Sequence, residues 1–273
     1  MIEAILAGAF GMAVGLVMGL TGAGGTIVAV PLLAWGLGWS LPQAAPVALL
    51  AVAVGGGIGT VRGLREGLVR WRAALLIGAA GLALAPLGLW LSGRLSHQAL
   101  AGVFAGVLLW VAARNLRSAL HGWRDRLALP AAEVLPAVCP IHPETRRFQW
   151  TPRTAAVLGT IGAGAGLLSG LLGVCGGFVV LPALLRVSRL SFATCVATTL
   201  MVLAVISGGT VLMALAAGRE FSWLAAAPFV AGVSVGLLAG RQLAPRLPLQ
   251  VAQALFALLA AGLGLQFGLE AVP

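Results

Sequence analysis

Residues 15–33 read GLVMGLTGAGGTIVAVPLL, and 151 positions later residues 166–184 read GLLSGLLGVCGGFVVLPAL. Gly15 pairs with Gly166, Gly19 with Gly170, Gly22 with Gly173, Gly25 with Gly176, Val28 with Val179 and Pro31 with Pro182. The register runs on without a gap through Ser40 and Ser191 to Leu49 and Leu200, so the chain is a duplication. In both copies an apolar run stops at a cluster of small residues and restarts as a shorter apolar piece containing proline. A helix, a break and a half-helix are the natural reading.

The setting of this pattern is a membrane. The chain has 273 residues, 60% hydrophobic and 9% charged, whereas soluble domains carry about 25% charged residues. A water-soluble monomer is excluded. Spanning about 30 Å of hydrocarbon takes roughly 20 apolar residues. Charge-free runs near that length lie at 5–20, 42–61, 73–93, 99–113, 154–172, 192–218, 223–240 and 249–269. The pieces after the breaks, 26–37 and 178–185, are too short to span comfortably. The first run has Glu3 in place of a basic leader and continues into a motif matched internally, so it reads as part of the mature protein.

Each copy contains two leading pieces and three further spans, an odd number, so the second copy enters the membrane from the opposite side. The expected fold is an all-α polytopic membrane protein of two inverted-topology repeats, each with a glycine-broken re-entrant or discontinuous helix plus three spans. The first repeat covers 1–114, a basic linker 115–153 and the second repeat 154–273. Many secondary transporters have this plan, which supplies two arrangements of similar energy for alternating access.

All seventeen basic residues are arginine, against seven acidic ones, for a net charge of +10. On the parity above, one face collects fifteen of them and the other only Arg94 and Arg219. Short basic loops stay in the cytoplasm, which predicts a bacterial-type inner membrane protein with both termini outside. The charge is therefore a record of orientation, and no nucleic-acid partner is expected; the surroundings are lipid. Trp35, Trp39, Trp71, Trp90, Trp110, Trp150 and Trp223 mostly fall near segment ends, as interfacial anchors do.

Within the linker, residues 115–127 place Leu116, Leu120 and Trp123 at helical spacing beside Arg117, Arg124 and Arg126, predicting a short amphipathic helix on the inner surface. Pro130, Pro136, Pro140, Pro143 and Pro152 then argue for irregular chain. Cys139 and His142 are half of a metal site at most, with only His121 nearby, and the region reads as a solvated linker without metal or cofactor. Cys139, Cys175 and Cys195 are too widely spaced for a disulfide framework.

The breaks are where a ligand belongs. Gly22, Ala23, Gly24 and Gly25, and Gly173, Val174, Cys175, Gly176 and Gly177, end one helix and start another. Backbone groups freed in hydrocarbon cost several kcal/mol each unless protein, water or ligand satisfies them. The N-terminus of the following half-helix favours an anion, with Thr26 and Cys175 placed to add donors. The competing reading is close helix packing, which explains the GxxxG spacings at Gly15 and Gly19 and at Gly166 and Gly170. Thr198 and Thr199 either face the same site or bond their own preceding carbonyls. Cys175 and Cys195 are either thiols for sulfur chemistry or small inert core residues.

Absence of charge also counts. Glu3, Glu66, Asp125, Glu133, Glu144, Glu220 and Glu270 all lie near segment ends or in loops. No carboxylate sits mid-span to carry a proton or a cation, as cation carriers require. The three histidines, His97, His121 and His142, lie in or near loops, so no catalytic cluster and no enzyme is expected.

The duplicated GLxGxGG followed by a proline-containing half-helix, Gly19 to Pro31 and again Gly170 to Pro182, resembles the TauE/SafE family of membrane permeases. The resemblance covers roughly residues 2–113 and 154–270; Cys175 stands where the first copy has Gly24. It implies a carrier of small sulfur-containing anions, sulfite or organosulfonates, often an exporter. The expected substrate-binding set is Gly22, Gly24, Gly25, Thr26, Gly173, Cys175, Gly176, Gly177, Thr198 and Thr199, meeting between the two breaks. Import of thiosulfate, sulfide or another small anion, with thiol assistance, and a non-transporting assembly subunit are the alternatives.

Overall fold

The structure, a computed structural model, describes residues 2–22, 25–124, 139, 148–173, 176–188, 190–216, 223–244 and 249–271. Among these residues the chain is helical and without β-strands. Its helices are α1 (Ile2–Thr21), α2 (Thr26–Gly36), α3 (Leu41–Arg65), α4 (Trp71–Ser92), α5 (His97–Arg124), α6 (Pro152–Leu172), α7 (Gly177–Val187), α8 (Phe192–Ala216), α9 (Trp223–Leu243) and α10 (Leu249–Ala271). Among the described residues, seven helices are long and apolar enough to cross a bilayer, while α2, α7 and the 257–269 stretch of α10 are shorter apolar pieces. Leu212, Leu258, Leu265 and Leu269 stand exposed on the outside of the bundle. Apolar side chains on the outer surface are what a lipid solvent requires. The chain is a polytopic membrane protein.

Local chemistry sets the helix ends. Ser40 N–H donates to the Gln43 side chain at 3.2 Å, and Thr151 accepts the Thr154 N–H at 3.1 Å with Pro152 at the first helical position. Both are N-terminal caps that satisfy groups a helix leaves unpaired. At the breaks, Gly22 (φ +86°) and Gly173 (φ +66°) take left-handed backbone. Gly22 N–H donates to Met18 O and Gly173 N–H to Ser169 O, both at 2.9 Å. A side chain at either position would be strained, so glycine is the residue that lets each leading helix stop.

The largest interfaces pair α1 with α9, α4 with α6 and α5 with α10, while α3 packs on α8. In sequence register α1 corresponds to α6 and α9 to α4, so the first two interfaces are counterparts. Glycines make them. A Cβ on Gly11, Gly15 or Gly19 would run into the backbone of Phe229, Val233 or Leu237 in α9. A Cβ on Gly162, Gly166 or Gly170 would likewise meet Ile77, Gly81 or Ala85 in α4. From the other side, Gly240 abuts Leu16 and Gly88 abuts Leu167. In both pairs residue numbers rise together, so the two helices run parallel with backbones touching. The packing explanation of Gly15, Gly19, Gly166 and Gly170 therefore holds, and it extends to Gly11 and Gly162.

α3 and α8 cross in opposite senses: Gly63 approaches Ala197, Gly59 and Gly56 approach Leu200, and Gly208 approaches Ala53. The short helices fold back along their leaders. A Cβ on Gly25 would lie 2.6 Å from Met18 N, and one on Gly176 would lie 2.5 Å from Ala165 Cα. One end of the bundle is rich in arginine, carrying Arg62, Arg65, Arg70, Arg72 and Arg241. The other carries Arg94.

The linker differs in detail from expectation. α5 continues unbroken through Arg124, so residues 115–124 are its final turns and not a separate amphipathic helix; no helix breaker interrupts the run. Residues 125–127 lie outside the described residues. Cys139 is buried and its N–H donates to Val187 O at 2.9 Å, tying the linker to the end of α7.

Trp71, Trp90 and Trp110 are exposed, with the guanidinium of Arg72, Arg94 and Arg114 over or beside their rings at 5.2, 4.0 and 5.5 Å. These suit an interfacial belt. Trp35 differs: it stacks on Phe267 at 5.1 Å and 5°, inside the cluster that joins α2 to α10.

Candidate functional site

The two breaks do not meet. Gly22 packs on Val196, in the second turn of α8, while Gly173 packs on Ala45, in the second turn of α3. Val196 and Ala45 are themselves repeat counterparts. With α3 and α8 antiparallel, these contacts fall at opposite ends of the pair, about 27 Å apart at 1.5 Å per residue. Gly22 and Gly25 belong to the arginine-rich end, and Gly173, Gly176 and Gly177 to the other. Gly24 and Cys175 lie outside the described residues, as does the side chain of Thr26.

At the arginine-poor end there is a cavity of about 140 Å³. Its wall is built from the last turn of α6 with Gly173, the start of α3 (Ala45, Pro46, Leu49), the end of α4 (Leu89, Ser92, Gly93), and Thr210 and Ala214 of α8. Drug-sized ligands occupy about 300 Å³ or more, so this space suits a small solute. No charged side chain lines it. Three hydroxyls do. Ser92 donates to Leu89 O and Thr210 to Ile206 O. Ser169 Oγ, fully buried, has no hydrogen-bond partner. Leaving a buried hydroxyl unpaired costs about 1–3 kcal/mol.

The threonines separate. Thr198 Oγ1 donates to Thr194 O at 2.7 Å and accepts the Arg70 N–H at 3.1 Å, fastening the α3–α4 turn to α8. Its proton is committed to the preceding turn. Thr199 Oγ1 is buried and, like Ser169 Oγ, unpartnered. Of the polar residues that open α3 and α8, Gln43 accepts the Ser40 N–H, and Thr194 donates its N–H to Ser191 Oγ. Cys195 is buried within the core around α8. Among the described residues no group of three His, Cys, Asp or Glu is placed to hold a metal.

Sequence reasoning missed Ser169 and Thr210. The signal was present in the repeat itself, because Ser169 stands where the first copy has Met18 and Thr210 where it has Gly59. Equivalent positions that differ in polarity mark where one half does something the other does not.

The family described as "Sulfite exporter TauE/SafE" matches residues 7–267. A "Probable membrane transporter protein" of Xylella fastidiosa (strain Temecula1 / ATCC 700964) is 29% identical over 236 residues, covering 86% of this chain and 82% of that one. A protein of the same description from strain 9a5c is 28% identical over 235 residues, covering 85% and 82%. No solved structure matches the chain. With broken helices, an apolar bundle and a family match over nearly its whole length, the chain belongs to the TauE/SafE family of membrane transporters.

Proposed function

We propose that the protein carries a small sulfur-containing anion, sulfite or an organosulfonate, out of the cell across a bacterial inner membrane by alternating access between two inverted halves. The observation that carries this is the small cavity beside the α6 break, lined by Ser92, Ser169 and Thr210 and by no charged side chain, with the Ser169 hydroxyl buried and unpaired. A hydroxyl and helix-end dipoles bind a small oxyanion weakly enough to release it. A mid-span carboxylate, which cation carriage needs, is absent from the described spans. The arginine-rich end is the cytoplasmic one, so both termini lie outside. The inside-negative potential then favours anion efflux by about 2.3 kcal/mol per charge per 100 mV, and export needs no coupled ion.

The test is flux of radiolabelled sulfite, sulfoacetate, thiosulfate and sulfate in proteoliposomes, with and without an imposed potential. At least one sulfur anion is expected to move, faster towards the positive side. Transport of a cation or neutral solute with no flux of any of these anions overturns the reading.

A further inference from the structure

The cavity at the arginine-poor end has a repeat counterpart at the arginine-rich end, and the residues that would line it can be written down. α4 and α9 share the opening Trp71-Arg72-Ala73-Ala74 and Trp223-Leu224-Ala225-Ala226, an offset of 152. The backbone contacts keep it: Ile77, Gly81 and Ala85 touch α6 where Phe229, Val233 and Leu237 touch α1. On that register Leu89 corresponds to Arg241. In α1 and α3 the offset of 151 makes Ser169 correspond to Met18, and Thr210 to Gly59. Thus two residues that line the open cavity together, Leu89 and Thr210, have as counterparts Arg241 and Gly59.

Those two are bonded. Arg241 Nη1 donates to Gly59 O at 3.2 Å across α9 and α3. Met18, the counterpart of the unpaired serine, is fully buried. At the arginine-rich end these counterparts are thus in contact or fully buried, whereas Leu89, Ser169 and Thr210 line a cavity. Arg241 is half-buried, and its backbone N would lie 2.9 Å from a Cβ on Gly19, one turn before the α1 break. The charged groups that act on it are Glu66, attractively, and Arg62, repulsively. Glu66 is engaged by Arg62 at 2.9 Å, and no carboxylate among the described residues forms an ion pair with Arg241.

We propose that Arg241 is the anion-binding residue of the arginine-rich end: it closes that end by donating to the Gly59 carbonyl, and exchanges this carbonyl for a substrate oxyanion when the end opens. The inference rests on the transport reading above and adds a charge-selecting residue to it. A neutral carbonyl offers the guanidinium one acceptor, whereas an oxyanion offers full charge and two acceptors in the geometry of its planar fork. The exchange is downhill for an anion only. A cation or neutral solute gives the guanidinium nothing better than Gly59 O and leaves the end closed.

The experiment measures KM and maximal rate for radiolabelled sulfite in oriented proteoliposomes, for wild type, Arg241→Leu and Arg241→Lys, with substrate presented at either end. Arg241→Leu, which copies Leu89, is expected to raise KM by about tenfold or more for entry at the arginine-rich end, with a smaller change for entry at the other. Arg241→Lys, which keeps charge without the fork, is expected to fall between it and wild type. Should Arg241→Leu fail to insert, a raised KM in Arg241→Lys supports the assignment and an unchanged one overturns it. Wild-type KM at the arginine-rich end in Arg241→Leu overturns the assignment while leaving sulfite transport standing. No sulfur-anion flux in wild-type protein overturns the transport reading, and the assignment with it.

Discussion

At one end of the molecule the α6–α7 break borders a hollow lined by Ser92, Ser169 and Thr210; at the other, the α1–α2 break borders Met18 and the Arg241 to Gly59 contact. The helices that build the two ends are counterparts, joined by counterpart glycine contacts, so backbone geometry does not explain the difference. Three side-chain differences accompany it: Ser169 against Met18, Thr210 against Gly59 and Leu89 against Arg241. One end thus presents a cavity bordered by hydroxyl-bearing residues, and the other an arginine bonded to a backbone carbonyl.

The strongest way to break this comparison is to attack what both ends share. Gly15→Ala and Gly166→Ala each place a methyl against the backbone of the neighbouring helix, α9 or α4, where no side chain can yield. Each is expected to destabilise the protein by about 3 kcal/mol, read as a lowered melting temperature in detergent. Equal losses sustain the equivalence of the two halves; a loss at only one position ends it.

Ser169→Ala sharpens the contrast between ends. Since Ser169 Oγ has no partner, its removal is expected to raise stability by about 1 kcal/mol while lowering sulfite flux by about tenfold. A variant that loses stability and keeps its flux would make Ser169 an ordinary packing residue. Thr198→Val, at the opposite end, is expected to do the reverse. It strips the Arg70 N–H of its acceptor, costing about 1 kcal/mol, with KM for sulfite unchanged; a raised KM would return Thr198 to the substrate path.

The smallest effect concerns the linker. Burial pushes the Cys139 thiol above its ordinary value, outweighing the downward pull of the Thr154 hydrogen bond and the Arg153 charge. Less thiolate is present at a given pH, so maleimide is expected to label Cys139 more slowly in native than in unfolded protein, by peptide mapping at mildly alkaline pH. Because the folded value is the raised one, stability contributed by this docking is present below the ordinary thiol value and declines as pH rises above it. Labelling at equal rates would mean that the linker is not docked at the arginine-rich end.

The helices and their breaks were legible because each depends on local chemistry: apolar length, small-residue clusters and proline. The site was legible only in part. Register equates Gly22 with Gly173 but does not place them together, and helices running in opposite senses carry equivalent points to opposite ends. α1 has 20 residues, about 30 Å, close to the hydrocarbon thickness, so its break reaches the far end of the bundle and not the midplane. Thr198 illustrates a second limit. Its donor role looked available in sequence, yet a threonine on a helix has its own preceding carbonyl within reach, and here it bonds to it. Ser169 lacks such a bond in this fold, a distinction that only the packed structure displays.

The glycine-lined contacts carry a mechanical consequence. Where backbone meets backbone there is no layer of flexible side chains to shear, so α1 with α9, and α4 with α6, behave as two stiff double beams. Motion between the ends of the protein has to be taken up elsewhere, and α3 and α8 cross between those beams. At that crossing Gly56 lies against the backbone of Leu200, Gly59 and Gly63 against the side chains of Leu200 and Ala197, and Gly208 near Ala53. The molecule is thus two stiff pairs joined through the α3–α8 crossing, and any change in the angle between the pairs has to pass through that crossing.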